Sequence, residues 1–231
     1  DGVLGKAKEV GINLIDTAEC YGNHHSEALI GQFLRGQRQQ WVVATKFGHK
    51  YHSSFSRSER WSAAEVVSTL EDSLRALQTD YVDLLQFHSG KDEVFDNPEL
   101  WQALRGLVQS GKARHLGISI GANTNIHQTS RASQVGAEAI QVIYNRLDRE
   151  PEAEVFPACL AQNLGVLARV PLASGLLSGK YRPGTVFSDP EDIRSKRDPA
   201  MVEERLRQAE QIQRSEVPPG VEMASWALAW C

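Results

Sequence analysis

INLIDTAECYGNHHSE, residues 12–27, decides how the chain is read. An apolar run (Ile12, Leu14, Ile15) delivers Asp16 at its end, Tyr21 follows in a loop with Gly22, and a new helix opens at Ser26. The stretch predicts a strand that presents a carboxylate and a phenol at its carboxyl end. In a barrel of parallel strands the loops leaving that end share one mouth, so a barrel would put Asp16 and Tyr21 at its reactive face.

The same pattern repeats downstream. WVVATKFG (41–48) ends near Lys46, YVDLLQFH (81–88) ends at His88, ARHLGIS (113–119) at Ser119, AIQVIYN (139–145) at Asn145, and GVLARVPL (165–172) passes through Arg169. Helical periods separate them: 26–34 with Ser26 as cap and Leu29, Ile30 and Phe33 inward, then a helix capped by Ser62 with Val67, Leu70, Leu74 and Leu77 on one face. Further helices are expected at 99–109 (Trp101, Leu104 and Val108 inward), 126–135 and 154–163. Two long loops are expected at 49–61 and 173–198, and two closing helices at 199–214 and 221–230. Strands alternating with helices indicate βα units in a parallel sheet. An open doubly wound sheet would usually carry a glycine-rich phosphate turn after its first strand, and DTAECYG is not one. The fold class is therefore read as α/β, a single (β/α)8 TIM-barrel domain over 1–231, incomplete at both termini. Upstream, Val3, Leu4, Ala7 and Val10 show helical spacing with no cap before them, and ASWALAWC stops as abruptly at the other end, so a fragment is expected.

With 41% hydrophobic and 23% charged residues over 231 positions, the chain can bury its own core. A net charge of −4 without basic runs gives no reason to expect nucleic acid or an anionic membrane as partner. No apolar run approaches the roughly 18 residues of a membrane helix. Cys20, Cys159 and Cys231 lack metal-ligand or redox spacing, which fits reduced thiols and a cytoplasmic location. No H-x-H pair occurs, so no metal is expected.

Asp16, Tyr21, Lys46 and His88 lie at or just beyond the ends of three successive strands, and together they suit proton movement. A phenol titrates near 10 and is a poor acid at neutral pH, but an adjacent ammonium favours phenolate and is expected to lower its pKa. Lys46 can supply that charge with Asp16 holding it. His88 can donate a hydrogen bond to the same substrate oxygen or pass a proton to Tyr21. An oxygen needing such help is a carbonyl becoming an alcohol.

DTAECYG followed by SE, ATKFG, LEDSLRALQTDYVDLLQFH, GKARHLGIS, QVIYN and PLASGLLSGKY resemble, in order and spacing, the motifs of the aldo-keto reductases. The resemblance implies a (β/α)8 barrel and NADPH-dependent reduction of a small aldehyde or ketone, with NADH left open. It implies Tyr21 as general acid, Lys46 and Asp16 tuning it and His88 orienting the carbonyl. Ser119 and Gln141 match residues that hold the cofactor carboxamide, although Ile120 stands where many members have Asn. Arg169 stands where many stack an aromatic ring on the nicotinamide. SGLLSGK resembles the loop over the pyrophosphate, which implicates the backbone near Leu172 and Ser174, Lys180, and Arg194. The same family contains potassium-channel beta subunits, so a cofactor-binding regulatory subunit is the alternative expectation. The physiological substrate and the oligomeric state are left open.

Overall fold

The structure, a computed structural model, describes residues 2–53 and 55–231. Asp1 and Ser54, inside the first helix and the 49–61 loop read from the sequence, lie outside the described residues. Six strands form one parallel sheet: β1 Leu14–Asp16, β2 Val42–Phe47, β5 Val82–His88, β6 Ala113–Ser119, β7 Ala139–Ile143 and β8 Gly165–Arg169, paired in that order. Their crossover segments carry α2 His25–Leu34, α3 Ala63–Leu77, α4 Asp92–Phe95, α5 Pro98–Gln109, α6 Ile126–Ser130 and α7 Val155–Ala161. The sheet curls, so the class is α/β of the (β/α)8 barrel type. Strand β5 is buried along its whole length, as expected of a parallel strand covered on both faces.

Register fixes the site. Asp16 lies opposite Ala44, Lys46 opposite Gln86, His88 opposite Ser119, and Ser119 opposite Gln141. Each strand end therefore hands its side chain to the same mouth as its neighbour's.

Ser62 caps α3 in a full capping box with Glu65. Helix α2 departs from expectation. It starts at His25 with no side-chain cap, because the Ser26 hydroxyl instead bonds the Thr17 hydroxyl at 2.9 Å. Its buried face is Glu27, Ile30, Gly31 and Leu34, with Leu29 left exposed. Gly31 explains the rotation: a Cβ there would collide with the backbone of Ala76 and Leu77, so α2 lies on α3 at its one side-chain-free position. In α5 the inward residues are Leu100, Trp101, Leu104 and Leu107, with Val108 only partly covered. The 126–135 helix ends at Ser130 and is followed by a 3₁₀ turn, Ser133–Val135.

Residues 49–61 are more than a loop. Strands β3 His49–Ser53 and β4 Ser56–Glu59 pair antiparallel as a hairpin. Its residues alternate poorly in polarity, so main-chain pairing rather than an apolar face makes it. Its base is closed by the Arg60 N–H donating to the Gly48 carbonyl at 2.8 Å. Gly48 has φ 124°, and a side chain there would run into the Trp61 ring, so the hairpin pivots on a position that requires glycine.

Beyond β8, Ala173–Ser178 and Ile193–Lys196 form 3₁₀ turns within the expected loop. Helices α8 Pro199–Ser215 and α9 Met223–Trp230 close the chain, and α1 Gly2–Glu9 opens it. The core divides in two. One cluster joins the sheet to α2, α3, α5 and α7. A smaller one packs Ala173, Leu176 and Leu177 against Val202, Leu206, Ala209 and Ile212 of α8 and Met223 and Ala227 of α9.

Candidate active site

Lys46 is 1% exposed, and its ammonium donates to Asp16 Oδ2 at 2.6 Å and to the Thr17 carbonyl at 2.7 Å. An ammonium this buried needs those acceptors, because an unpaired charge away from water is costly. Asp16 is held from its other oxygen by the Gln86 amide at 2.9 Å, so β1, β2 and β5 are tied together at the mouth. The Lys46 ammonium lies 5.3 Å from the Tyr21 ring centroid. The Tyr21 and His88 rings meet edge-on at 6.3 Å. The four residues expected to act together are thus neighbours.

Their titration differs from expectation in two respects. The Tyr21 phenol is pushed up to about 12, first by loss of hydration and then by the Asp16 and Cys20 charges, with Arg57 and Arg169 pulling the other way. Although Tyr21 as a whole is 41% exposed, lost hydration and the Asp16 carboxylate outweigh the neighbouring cations, so Tyr21 stays protonated through the neutral range. His88 is driven down to about 2 by burial and by Lys46, His49, Arg57 and Arg169. It is therefore a neutral imidazole, able to donate a hydrogen bond but not to relay a proton as imidazolium. Its Nδ1 lies 3.9 Å from Cys20 Sγ, and its backbone carbonyl is 2.8 Å from His49 Nε2.

Three groups nearby resemble a ligand set. Glu19, Cys20 and His88 offer atoms within 4.8 Å of one another. Arg57 Nη1 contacts the same sulfur at 3.5 Å, and burial raises the thiol to about 11. A protonated thiol beside a guanidinium is poorly suited to a cation.

The residues expected around a cofactor fall into two groups. Ser119 and Gln141 are buried side by side, the serine hydroxyl donating to Gln141 Oε1 at 3.3 Å. Arg169 reaches across to the Ile120 carbonyl at 3.2 Å, and its buried Nε has no partner among the described residues. After β8 the backbone turns left-handed at Val170 (φ 58°), Ala173 (φ 49°), Ser174 (φ 56°) and Gly175 (φ 90°). Such φ is unusual for a β-branched valine, and runs of this kind turn N–H groups into anion-holding concavities. A cavity of about 490 Å³ opens there, lined by Leu172, Ser174, Gly175 and Arg194 among others. Arg194 is bound by Asp192 through Nε at 2.9 Å and Nη2 at 2.5 Å and lies 4.2 Å over the Phe187 ring. Lys180 is exposed and does not line the cavity.

Three residues with site contacts escaped the sequence reading. Gln86 holds Asp16, Arg197 donates to the Ser174 hydroxyl at 2.9 Å, and Arg57 touches Cys20. Gln86 sits two positions before His88, on the same face of its strand, a signal that could have found it. Arg57 and Arg197 lie in stretches read as loops.

The family model described as Aldo/keto reductase family matches residues 3–231. The aldo-keto reductase YhdN of Bacillus subtilis is 34% identical over 207 residues, 87% of this chain and 60% of that relative. The chain thus spans about three fifths of the length of that curated relative. A probable voltage-gated potassium channel subunit beta of Oryza sativa is 29% identical over 241 residues, 99% of the chain and 73% of the relative. Among solved structures, the holo form of aldo-keto reductase AKR11C1 from Bacillus halodurans superposes with a TM-score of 0.81 at 29% identity, over 100% of this chain and 72% of that one.

Proposed function

The chain belongs to the aldo/keto reductase family, and from that premise we propose that it reduces an aldehyde or ketone to the alcohol with NADPH, Tyr21 giving the proton. The observation that carries the reading is the buried Lys46 ammonium, held by Asp16 and Thr17 next to the Tyr21 ring, with a neutral His88 on the ring's edge. Tyr21 keeps its proton until the substrate oxygen gains negative charge, then donates it. Lys46 stabilises the phenolate left behind, and Asp16, fixed by Gln86, keeps the ammonium in place. His88 donates a hydrogen bond to the same oxygen.

The residues present fit a nicotinamide cofactor: an unpartnered buried Arg169 Nε beside the Ser119–Gln141 pair, and the left-handed turn with its cavity at Leu172 and Ser174. Ser119, Gln141 and Arg169 would hold the nicotinamide end, and Leu172, Ser174 and Arg194, which line that cavity, the phosphates, with Lys180 left outside it. The bound cofactor supplies hydride to the carbonyl carbon. Tyr21→Phe is expected to lower turnover of a simple aldehyde by about 10²–10⁴ while cofactor affinity stays within a few-fold. Retention of most of the native turnover would remove Tyr21 as acid.

The potassium-channel relative favours a second reading, a cofactor-binding regulatory subunit. Repeated turnover of NADPH with aldehyde supports the enzyme; a single stoichiometric oxidation supports the subunit.

A further inference from the structure

We propose that Arg57 makes the hairpin side of the mouth an anion subsite, so that the preferred substrates are carbonyl compounds carrying a carboxylate. This rests on the reductase reading of the same site.

The residues expected at the cofactor come from β6, β7, β8 and the turn after β8. Arg57 arrives from the opposite side, on β4 of the hairpin that follows β2, and meets Cys20 in the loop leaving β1. Among the described residues it has no carboxylate within salt-bridge distance and lies over no aromatic ring. Arg57 is an exposed residue whose one side-chain hydrogen bond among the described residues is to a neutral thiol, a weak acceptor that uses one of five guanidinium N–H groups. The free edge is a planar fork of the kind that binds a carboxylate through two parallel hydrogen bonds.

The surrounding charges leave that fork uncompensated. Asp16 is engaged by Lys46 and Gln86. Glu59, the acid on β4, accepts from the Trp61 indole N–H at 3.2 Å and makes no salt bridge with Arg57 among the described residues, and Asp192 is engaged by Arg194. Arg169 also lacks a carboxylate partner among the described residues, and His49 and His88 are held neutral. Glu19 is the remaining acid near Cys20, and burial raises it to about 7, so it is about half protonated in the neutral range. Three cations, Lys46, Arg57 and Arg169, thus outnumber the two acids closest to them at the mouth, Asp16, already engaged by Lys46, and the half-protonated Glu19, and leave a surplus of positive charge. A mouth with that surplus draws anionic substrates and raises their encounter rate.

The test compares ortho, meta and para carboxybenzaldehyde with benzaldehyde, in NADPH at low salt, for the native chain, Arg57→Gln and Arg57→Lys. For the best isomer, the ratio of its kcat/KM to that of benzaldehyde should be about tenfold or more in the native chain. It should fall toward unity in Arg57→Gln, be partly kept in Arg57→Lys, and shrink as salt is added. A ratio indifferent to Arg57→Gln overturns the subsite and leaves the reductase reading intact. Calorimetric titration with benzoate against benzamide gives a readout free of turnover. A benzoate preference lost in Arg57→Gln supports the subsite even if no aldehyde is reduced, a result that would sink the reductase reading alone. Equal benzoate binding by native and Arg57→Gln chains overturns it.

Discussion

Glu19 is a carboxylate that the fold keeps from water: 2% exposed, its Oε1 accepting from the His49 N–H at 2.9 Å and its Oε2 without a partner among the described residues. Burial is the main reason its pKa rises from 4.5 to about 7. Because the folded value is the higher one, the favourable contribution is complete below the unfolded pKa and is lost as pH climbs through the folded pKa. Across that window the native chain should lose stability relative to Glu19→Gln by about 3 kcal/mol, since the amide keeps the acceptor and cannot ionise. Urea titrations of both proteins between about pH 4.5 and 8 check this, and parallel profiles would refute it. How residues could be read from the sequence differs with their position. Asp16, Tyr21, Lys46 and His88 stood out because each is a polar group terminating or following an apolar run. Arg57 did not, because one arginine in a polar stretch has no contrast with its surroundings. The direction of the Tyr21 shift was also beyond the sequence, since it depends on how much protein surrounds the phenol.

Between elements, the contact of α2 with α3 depends on a missing side chain. The backbone carbonyls of Ala76 and Leu77 occupy the space a Gly31 Cβ would need. Backbone cannot yield as a flexible side chain does, so Gly31→Val should destabilise the chain by about 3 kcal/mol, the upper end of overpacking costs. A denaturant midpoint within error of the native one would show that the helices slide apart freely. The βα rhythm was legible because each parallel strand is a continuous apolar run and each helix repeats its apolar residues at helical spacing. The hairpin of β3 and β4 was not legible, because its described residues bury no apolar face of their own. The rotation of α2 was hidden for a related reason: Glu27, a charged residue by type, is fully buried and accepts from the Thr45 hydroxyl at 2.5 Å.

Over the whole molecule, the turn carrying Leu172 and Ser174 rests on the smaller core, while Asp16, Lys46 and His88 stand on the sheet and Tyr21 on the loop leaving β1. Leu206 is 1% exposed at the centre of that smaller core. Leu206→Ala should cost about 2–5 kcal/mol there. Its expected signature is local: faster amide exchange in α8, unchanged protection in β5, and several-fold weaker NADPH binding. Equal acceleration in α8 and β5 would mean that the two cores open as one. The hairpin is separable in another sense. It leaves and rejoins the barrel at adjoining points, where the Arg60 N–H meets the Gly48 carbonyl, and it brings Arg57 without displacing any strand. Residues 49–59 are therefore an exchangeable cassette, and grafting a hairpin of different charge between Gly48 and Arg60 would re-address the same reaction to a different clientele.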